Sequence, residues 1–253
     1  MQEITKYPEF FARFYDTIYH QLRDTTDHNF FSKRINGCKG KVLEIGVGTG
    51  RFFAESLNKN ADIYGIDISP AMLDICKTKI SEKEQYRLSL QDMRTFSFDF
   101  TFDLIIAPFR VFMHILDNKE QLIALNNVAK HLSENGTFIF DAYVPNMKMM
   151  AEGLDNDLDF IGEYAPGKKL KRLVSMKTDL IEQINEMFFT LEWDEDKKVK
   201  QKFWVTKLKY FFRHEIEYLI EKSDLKLEQF YGDYEETPLN STSKEFVLVC
   251  SKQ

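Results

Sequence analysis

Between residues 41 and 140, short apolar segments alternate with segments whose apolar residues recur at helical spacing. The apolar segments predict five strands, at 41–45, 62–66, 86–90, 102–107 and 137–140. Helices are predicted between them at 51–57, from the Ser69-Pro70 pair to about residue 80, and at 118–132. An alternation of strand and helix folds into a sheet of parallel strands connected by right-handed crossovers.

The pattern changes after about residue 143, where longer segments predict antiparallel strands at 170–178, 183–193 and 198–210. A helix at 214–222 and two closing strands, at 225–231 and 245–250, follow. We therefore expect residues 1–253 to form one α/β domain, whose seven-stranded, mostly parallel sheet has helices on both faces. An antiparallel β cap, at about 144–210, is expected after the fifth strand and over the functional site. Residues 1–40 are expected to form an N-terminal helical lid.

Charge and cysteine usage exclude several classes of protein. The net charge of -6 argues against a protein that holds DNA through phosphate contacts alone. The three cysteines, Cys38, Cys76 and Cys250, lack metal-ligand spacing, so we expect no metal site and no disulfide framework. The apolar runs are too short to cross a bilayer, and the polar N-terminus does not resemble a signal peptide. We expect a cytoplasmic protein with no DNA or membrane partner.

Three glycines, Gly46, Gly48 and Gly50, follow the first predicted strand. Glycines at this position let the chain turn tightly and let a ligand approach the backbone N–H groups. Their spacing differs from the dinucleotide pattern G-x-G-x-x-G, which would need its third glycine at Arg51. Glu44, just before the loop, would repel a diphosphate and attract an ammonium group. The loop therefore favours a ligand that has a positive end and no phosphates.

Acidic residues also end the second and third predicted strands. Asp67, followed by Ile68, lies about twenty residues after the glycines, where a carboxylate can accept both hydroxyls of a ribose. Asp92 can accept a hydrogen bond from an exocyclic amine, and Met93 can pack on a flat ring. An amine, a ribose and an adenine would each find a partner, which describes S-adenosylmethionine.

Four blocks in this order resemble the class I S-adenosylmethionine-dependent methyltransferases. The blocks are 44–50, 64–69, 91–94 and 102–106, and with 136–141 and the closing hairpin they cover nearly the whole chain. The resemblance implies a Rossmann-like fold, S-adenosylmethionine as cofactor, and cofactor contacts from the residues named above. Ordinary structural roles stay open as alternatives: helix packing for Gly50, a helix-start acid for Asp67, and a turn cap for Asp92.

The segment after the fourth predicted strand normally faces the transferable methyl group in that family. His114 is the candidate catalytic base, since an imidazole with a pKa of about 6.5 can take a proton at neutral pH. Arg110 could hold an anionic group of the substrate. The alternatives are a packing role for His114 and an ion pair with a neighbouring carboxylate for Arg110. Ala107-Pro108-Phe109 also lacks the leading amide or acid found here in methylases of exocyclic nitrogens, which argues against a DNA base methylase.

Within the superfamily the chain is most similar to small-molecule enzymes, the deoxysugar N,N-dimethyltransferases. By that resemblance Tyr7 and Tyr15 would close over the methionine end of the cofactor or over the acceptor, and Tyr7, Arg110 and Tyr143 would contact the substrate. Aromatic faces favour a sulfonium. For Tyr15, helical core packing explains the position equally well.

We therefore expect a methyltransferase that acts on a nitrogen or oxygen of a small-molecule acceptor, as a monomer or homodimer. Three other functions remain open: a cofactor-binding protein of the same fold without turnover, a protein or RNA methyltransferase, and a nicotinamide-dependent oxidoreductase.

Overall fold

The structure, a computed structural model, describes residues 4–23 and 25–253. In chain order its helices and strands are α1 (Glu9–Leu22), α2 (Thr26–Gly37), β1 (Val42–Ile45), α3 (Phe53–Asn58), β2 (Ile63–Asp67), α4 (Pro70–Thr78), β3 (Leu88–Leu90), β4 (Phe102–Ala107), α5 (Asn118–His131), β5 (Leu132–Tyr143), α6 (Met147–Glu152), β6 (Leu154–Ala165), β7 (Lys168–Asp179), β8 (Ile184–Glu195), β9 (Lys198–Lys209), α7 (Arg213–Glu221), β10 (Leu225–Tyr231) and β11 (Glu245–Lys252).

These strands form two sheets. The larger has seven strands in the order β10-β11-β5-β4-β1-β2-β3, and β1 to β5 are parallel to one another. β11 runs antiparallel to β5, and β10 antiparallel to β11. The smaller sheet, which we call the cap sheet, has the antiparallel order β6-β7-β8-β9 and is inserted between β5 and α7. The predicted fold class, a mostly parallel seven-stranded sheet with an antiparallel cap after the fifth strand, is confirmed.

Several elements differ from the sequence prediction. The third strand was predicted too long, because Tyr86 and Arg87 end a short 3-10 helix and only Leu88–Leu90 pair with β2. The prediction also missed α6 and β6, and it did not separate α2 from α1 within the segment expected to be helical at 1–40. Strand β6 is an edge of the cap sheet, and Phe160 is its one fully buried residue. An edge strand with so little burial has no alternating apolar pattern to detect. Strand β4 was expected to be buried on both faces, but Asp103 is exposed.

Helix α1 joins the two sheets. Its buried face, which includes Phe11, Phe14 and Ile18, packs against the inner face of the cap sheet. The ring centroids of Phe11 and Trp204 are 4.7 Å apart, and those of Phe14 and Trp193 are 5.2 Å apart. Aromatic pairs at such distances add stabilisation beyond the area that they bury. The aromatic cluster therefore determines how α1 lies over the strand ends.

The opposite face of α1 contacts the large sheet through a polar residue. One carboxylate oxygen of Asp16 accepts a hydrogen bond of 2.6 Å from the Thr49 hydroxyl in the glycine loop. The other oxygen accepts one of 2.5 Å from Lys79 Nζ, just after α4. The helix thus connects the cap sheet to the carboxyl edge of the parallel sheet. Within residues 4–23 and 25–253, no helix is both long and apolar enough to cross a membrane.

Candidate functional site

The glycine loop lies directly after β1 and has positive φ angles at each of its three glycines. The values are +69° at Gly46, +55° at Gly48 and +84° at Gly50. L-residues with a side chain rarely adopt such angles, which explains why glycine stands there. A Cβ at Gly50 would also lie 2.5 Å from the Cys76 sulfur. Gly50 therefore has a packing role against α4, and it does not line the cavity beside the loop.

That cavity, which we call the first cavity, has a volume of about 100 Å³ and lies at the carboxyl ends of β1, β2 and β4. In open α/β sheets, ligands bind at this edge. Nine residues predicted from the sequence line it: Tyr7, Tyr15, Gly46, Gly48, Asp67, Ile68, Asp92, Met93 and His114. Their assignment to the cofactor, the substrate or catalysis stays a prediction. Four other predicted residues, Glu44, Gly50, Arg110 and Tyr143, lie outside its lining.

Asp67 ends β2, and its carboxylate is almost completely buried. One oxygen accepts a hydrogen bond of 2.8 Å from the Gly48 N–H, and the other accepts one of 2.8 Å from the Ser69 N–H. Burial raises the pKa of this carboxyl above its usual range, and the backbone N–H groups oppose that shift. Each carboxylate oxygen has a second lone pair, so the group can still accept hydrogen bonds from a ligand.

Asp92, after β3, is held by Arg94. The carboxylate of Asp92 accepts hydrogen bonds of 2.9 Å from Arg94 Nε and 2.6 Å from Arg94 Nη2. Arg94 also forms a buried ion pair with Glu120 of α5. A bidentate pair fixes the plane of the carboxylate. Sequence reasoning named Asp92 and missed Arg94, although the two residues are close in sequence.

Glu44 was predicted to face an ammonium group, and the structure buries it under the glycine loop. Its side chain is 2% exposed, and its Oε2 has no hydrogen-bond partner in the described chain. Burial raises the pKa of the carboxyl to about 8, although Arg51 and a hydrogen bond from the Phe53 N–H act in the opposite direction. All four residues of β1 are buried, so an acid in this strand has no route to solvent.

His114 lines the first cavity and is half-buried. Burial lowers its pKa to about 4. The imidazole is therefore neutral at pH 7, and it is a weaker base than a free imidazole. The packing alternative also finds support, because its ring lies 6.2 Å from the ring of Tyr7.

Two tyrosines cover the first cavity on the side of α1. The Tyr7 carbonyl accepts a hydrogen bond of 2.9 Å from the Ser69 hydroxyl, and the Tyr7 ring lies 4.6 Å from the Trp204 ring. The Tyr15 hydroxyl accepts a hydrogen bond of 2.9 Å from Arg23 Nη2. Burial raises the pKa of both hydroxyls, so both are neutral at pH 7.

Arg110 and Tyr143 lie beyond the first cavity. Arg110 Nη2 is 2.5 Å from Glu245 Oε1, and Arg110 lines a second, larger cavity of about 710 Å³. This is the ion pair that the sequence left open as the alternative. The Tyr143 hydroxyl accepts a hydrogen bond of 2.7 Å from Asn185 of the cap sheet, and burial raises its pKa to about 12.

Within the part of the chain that the structure describes, no group of three His, Cys, Asp or Glu side chains could hold a metal ion.

Comparison with known proteins agrees with this geometry. Residues 42–136, from β1 into the first half of β5, match the family model described as a methyltransferase domain. The match covers less than half of the chain. The putative methyltransferase YqeM of Bacillus subtilis (strain 168) is 24% identical over 131 residues, which are 50% of this chain and 53% of that protein. The chain thus spans about half the length of the curated relatives it matches.

Solved structures match the fold over almost the whole chain. An S-adenosylmethionine-dependent methyltransferase from Clostridium acetobutylicum ATCC 824 has a TM-score of 0.77 at 19% identity, covering 96% of this chain and 98% of its own. CalS10, described as a SAM-bound amino pentose methyltransferase from Micromonospora echinaspora, has a TM-score of 0.70 at 16% identity and covers 100% of both chains. At these identities the likeness establishes the fold. The predicted resemblance to the S-adenosylmethionine-dependent methyltransferases is confirmed, and S-adenosylmethionine is the cofactor that the descriptions of both similar structures name.

Gln91, Phe109 and Val111 also line the first cavity, and the sequence analysis gave none of them a role of its own. Gln91 belongs to the block 91–94, and Phe109 and Val111 belong to the segment at 108–114 that was expected to face the methyl group. The apolar side chains of Phe109 and Val111 gave no chemical signal beyond packing. Val111 also explains Gly46: a Cβ at Gly46 would lie 2.3 Å from Val111 Cγ2.

The buried Glu44 predicts a dependence of stability on pH. Its folded-state pKa of about 8 lies above the ordinary 4.5, so the unfolded chain releases this proton first as the pH rises. Stability from this group is complete below about pH 4.5 and is lost as the pH rises towards 8. We expect the free energy of unfolding of the wild type to fall, relative to Glu44→Gln, by up to about 1.4 kcal/mol per pH unit in this window. Urea unfolding from pH 5 to 8 measures it, and parallel curves for the two proteins would contradict the assignment.

Proposed function

We propose that the chain is an S-adenosylmethionine-dependent methyltransferase that transfers a methyl group to a nitrogen or oxygen of a small-molecule acceptor. The observation that carries the proposal is one cavity that joins the glycine loop to two carboxylates, Asp67 and Asp92, at neighbouring strand ends. The loop offers backbone N–H groups at close approach, and the carboxylates can accept hydrogen bonds from a ribose and from an adenine amine. The match of residues 42–136 to the methyltransferase domain model supports the same function.

The surroundings of the first cavity suit the chemistry of methyl transfer. The reaction needs the acceptor atom, the methyl carbon and the sulfur in line, and it needs water excluded. Tyr7 and Tyr15 supply aromatic surface that favours a positively charged sulfonium. S-adenosylmethionine itself supplies the electrophilic methyl group when it is bound. His114 is the residue of the first cavity that we assign to accept a proton from the acceptor, as a neutral imidazole.

A small-molecule acceptor is supported by the description of CalS10 as an amino pentose methyltransferase. The choice between nitrogen and oxygen, the monomeric or homodimeric state and the cytoplasmic location stay predictions. A protein or RNA methyltransferase is the second candidate within this chemistry, and a cofactor-binding protein without turnover is the third.

Binding and turnover can be tested with the purified chain. We expect calorimetric titration to detect binding of S-adenosylmethionine and of S-adenosylhomocysteine, and to detect no binding of NAD. Incubation of the complex with a metabolite extract is expected to add about 14 Da to one small molecule, as seen by mass spectrometry. Binding without a methylated product would favour the non-catalytic or macromolecular alternatives, and binding of NAD alone would contradict the proposal.

Replacement of Asp67 tests the ribose contact. We expect Asp67→Ala to weaken S-adenosylmethionine binding by about 2–3 kcal/mol, because ribose hydroxyls would stay unpaired in a buried site. Asp67→Asn is the conservative variant: its one side-chain oxygen can accept from either the Gly48 or the Ser69 N–H, and its amide nitrogen faces the other. Asp62→Ala is the matched control: this carboxylate lies before the other end of β2, where it pairs with Lys41 and Arg87. Calorimetry that gives equal affinities for the wild type and Asp67→Ala would remove Asp67 from the site.

Replacement of His114 tests the proton acceptor. We expect His114→Ala to lower turnover by about 10²–10⁴ while S-adenosylmethionine affinity changes less than about twofold. Since its pKa is about 4, the activity that depends on its neutral form should rise through that region and be constant near pH 7. Turnover on the acceptor identified above, measured from pH 4 to 8, gives both quantities. A loss of affinity together with turnover, or a loss of neither, would assign His114 to packing.

A further inference from the structure

Phe109 lines both the first cavity and the second cavity. It is the second residue after β4, the strand that pairs with β5. The second cavity has a volume of about 710 Å³, and the first has a volume of about 100 Å³. Phe109 lies where these two cavities meet, and we call it the partition between them.

The backbone that carries this ring is strained. Phe109 and Arg110 have φ angles of +58° and +67°, in the left-handed region that favours glycine. Such angles cost energy for residues with a side chain and persist where the surroundings hold the turn. Another consecutive pair, Asp196 and Lys197, lies in the tight hairpin between β8 and β9. The turn at 109–110 therefore needs a specific support.

Asp141 of β5 supplies that support. Its carboxylate is completely buried and accepts hydrogen bonds of 2.8 Å from the Phe109 N–H and 2.6 Å from the Arg110 N–H. The Tyr234 hydroxyl donates a third hydrogen bond, of 2.9 Å, to the same carboxylate. Two backbone donors that converge on one buried acceptor define the turn geometry.

The ring itself is held from the other side by α1 and the chain that follows it. The guanidinium carbon of Arg23 lies 3.1 Å from the Phe109 ring centroid, and the same guanidinium donates to the Tyr15 hydroxyl. The Tyr19 ring lies 5.5 Å away with its edge towards Phe109. Tyr15 lines the first cavity, and Arg23 lines the second. The Phe109 ring is therefore held between its own turn and the Arg23 guanidinium.

We propose that Phe109 is the specificity-determining wall at the methyl end of the cofactor cavity, that Asp141 is its positioning residue, and that the second cavity receives the acceptor. The inference rests on the proposed function, because it takes the first cavity as the S-adenosylmethionine site. A wall of this kind admits a methyl group and excludes a larger group on the sulfur. The acceptor meets the methyl at the edge of the Phe109 ring.

Two cofactor probes test the wall without knowledge of the acceptor. One is S-adenosylmethionine, and the other is its S-benzyl sulfonium analogue, in which a benzyl group replaces the transferable methyl. We expect the wild type to bind S-adenosylmethionine more tightly. In Phe109→Gly and Phe109→Ala the ratio of the two dissociation constants is expected to shift towards the benzyl analogue by about tenfold or more, since space that a ring filled becomes available. The glycine variant also removes the backbone strain, so it keeps the experiment valid if the alanine variant does not fold.

The control has the same chemistry at another place. Phe212→Ala removes a phenyl ring that is 44% exposed and that lines neither cavity, so its ratio should equal that of the wild type. An unchanged ratio in both Phe109 variants would contradict the assignment of Phe109 as the wall. Loss of S-adenosylmethionine binding in both would also overturn it, because the ring would then be part of the cofactor site itself. If the wild type fails to bind S-adenosylmethionine, it is the proposed function that fails.

The role of Asp141 is measured by the same ratio. Asp141→Asn places an N–H donor against one backbone N–H, and Asp141→Glu moves the carboxylate. We expect at least one of them to bind S-adenosylmethionine within about threefold of the wild type and to shift the ratio towards the benzyl analogue by about tenfold. Tyr234→Phe, which removes the third hydrogen bond and leaves both backbone donors, should shift it little. A general loss of stability would weaken the binding of both probes equally and would leave the ratio unchanged. Unchanged ratios, or loss of S-adenosylmethionine binding in both Asp141 variants, would overturn the positioning role.

Discussion

The carboxylate of Asp67 connects two turns at the carboxyl edge of the parallel sheet. One oxygen accepts the Gly48 N–H of the glycine loop, and the other accepts the Ser69 N–H at the N-cap of α4. The Ser69 hydroxyl in turn donates to the Tyr7 carbonyl, which brings the segment before α1 over the same edge. A single buried acid at the end of β2 thus orders the loop, the helix start and the covering segment before any ligand binds. Such preorganisation lowers the cost of binding a ligand there.

Several ionisable groups whose pKa values are shifted by burial lie along the same edge. Burial raises the pKa of Glu44 to about 8 and that of Glu245 to about 7, and it lowers the pKa of His114 to about 4. Burial also raises the pKa of Asp141, and Arg110 opposes that shift. Each shift means that the folded chain disfavours the charged form. Clusters of this kind are costly for stability and are typical of functional sites.

The sequence could bring four site residues to one edge of the sheet because its signals there are local. Gly46, Gly48, Asp67 and Asp92 each lie within a few residues of a strand end, and the order of parallel strands brings those ends together. Glu44 lies outside the lining of the first cavity because the whole of β1 is buried, and its role stays a prediction. Phe109 and Asp141 could not be paired from sequence, since they are 32 residues apart and meet through the register of β4 and β5, in which Ala107 lies opposite Phe140. Strand β6 was missed because an edge strand with one fully buried residue leaves no periodic pattern.

The two cavities differ in how far local sequence signals predict the residues that line them. The first cavity takes most of its polar groups from strand ends that the sheet positions, whereas the second is lined by the end of α1, the turn at 109–110 and the loop at 232–245. Loops vary in sequence more freely than the strands that they connect. The cofactor end can therefore stay constant while the acceptor end changes, provided that the partition between them is kept. Asp141 belongs to β5, and Phe109 belongs to the turn after β4. Through the hydrogen bond between them, the sheet positions the turn.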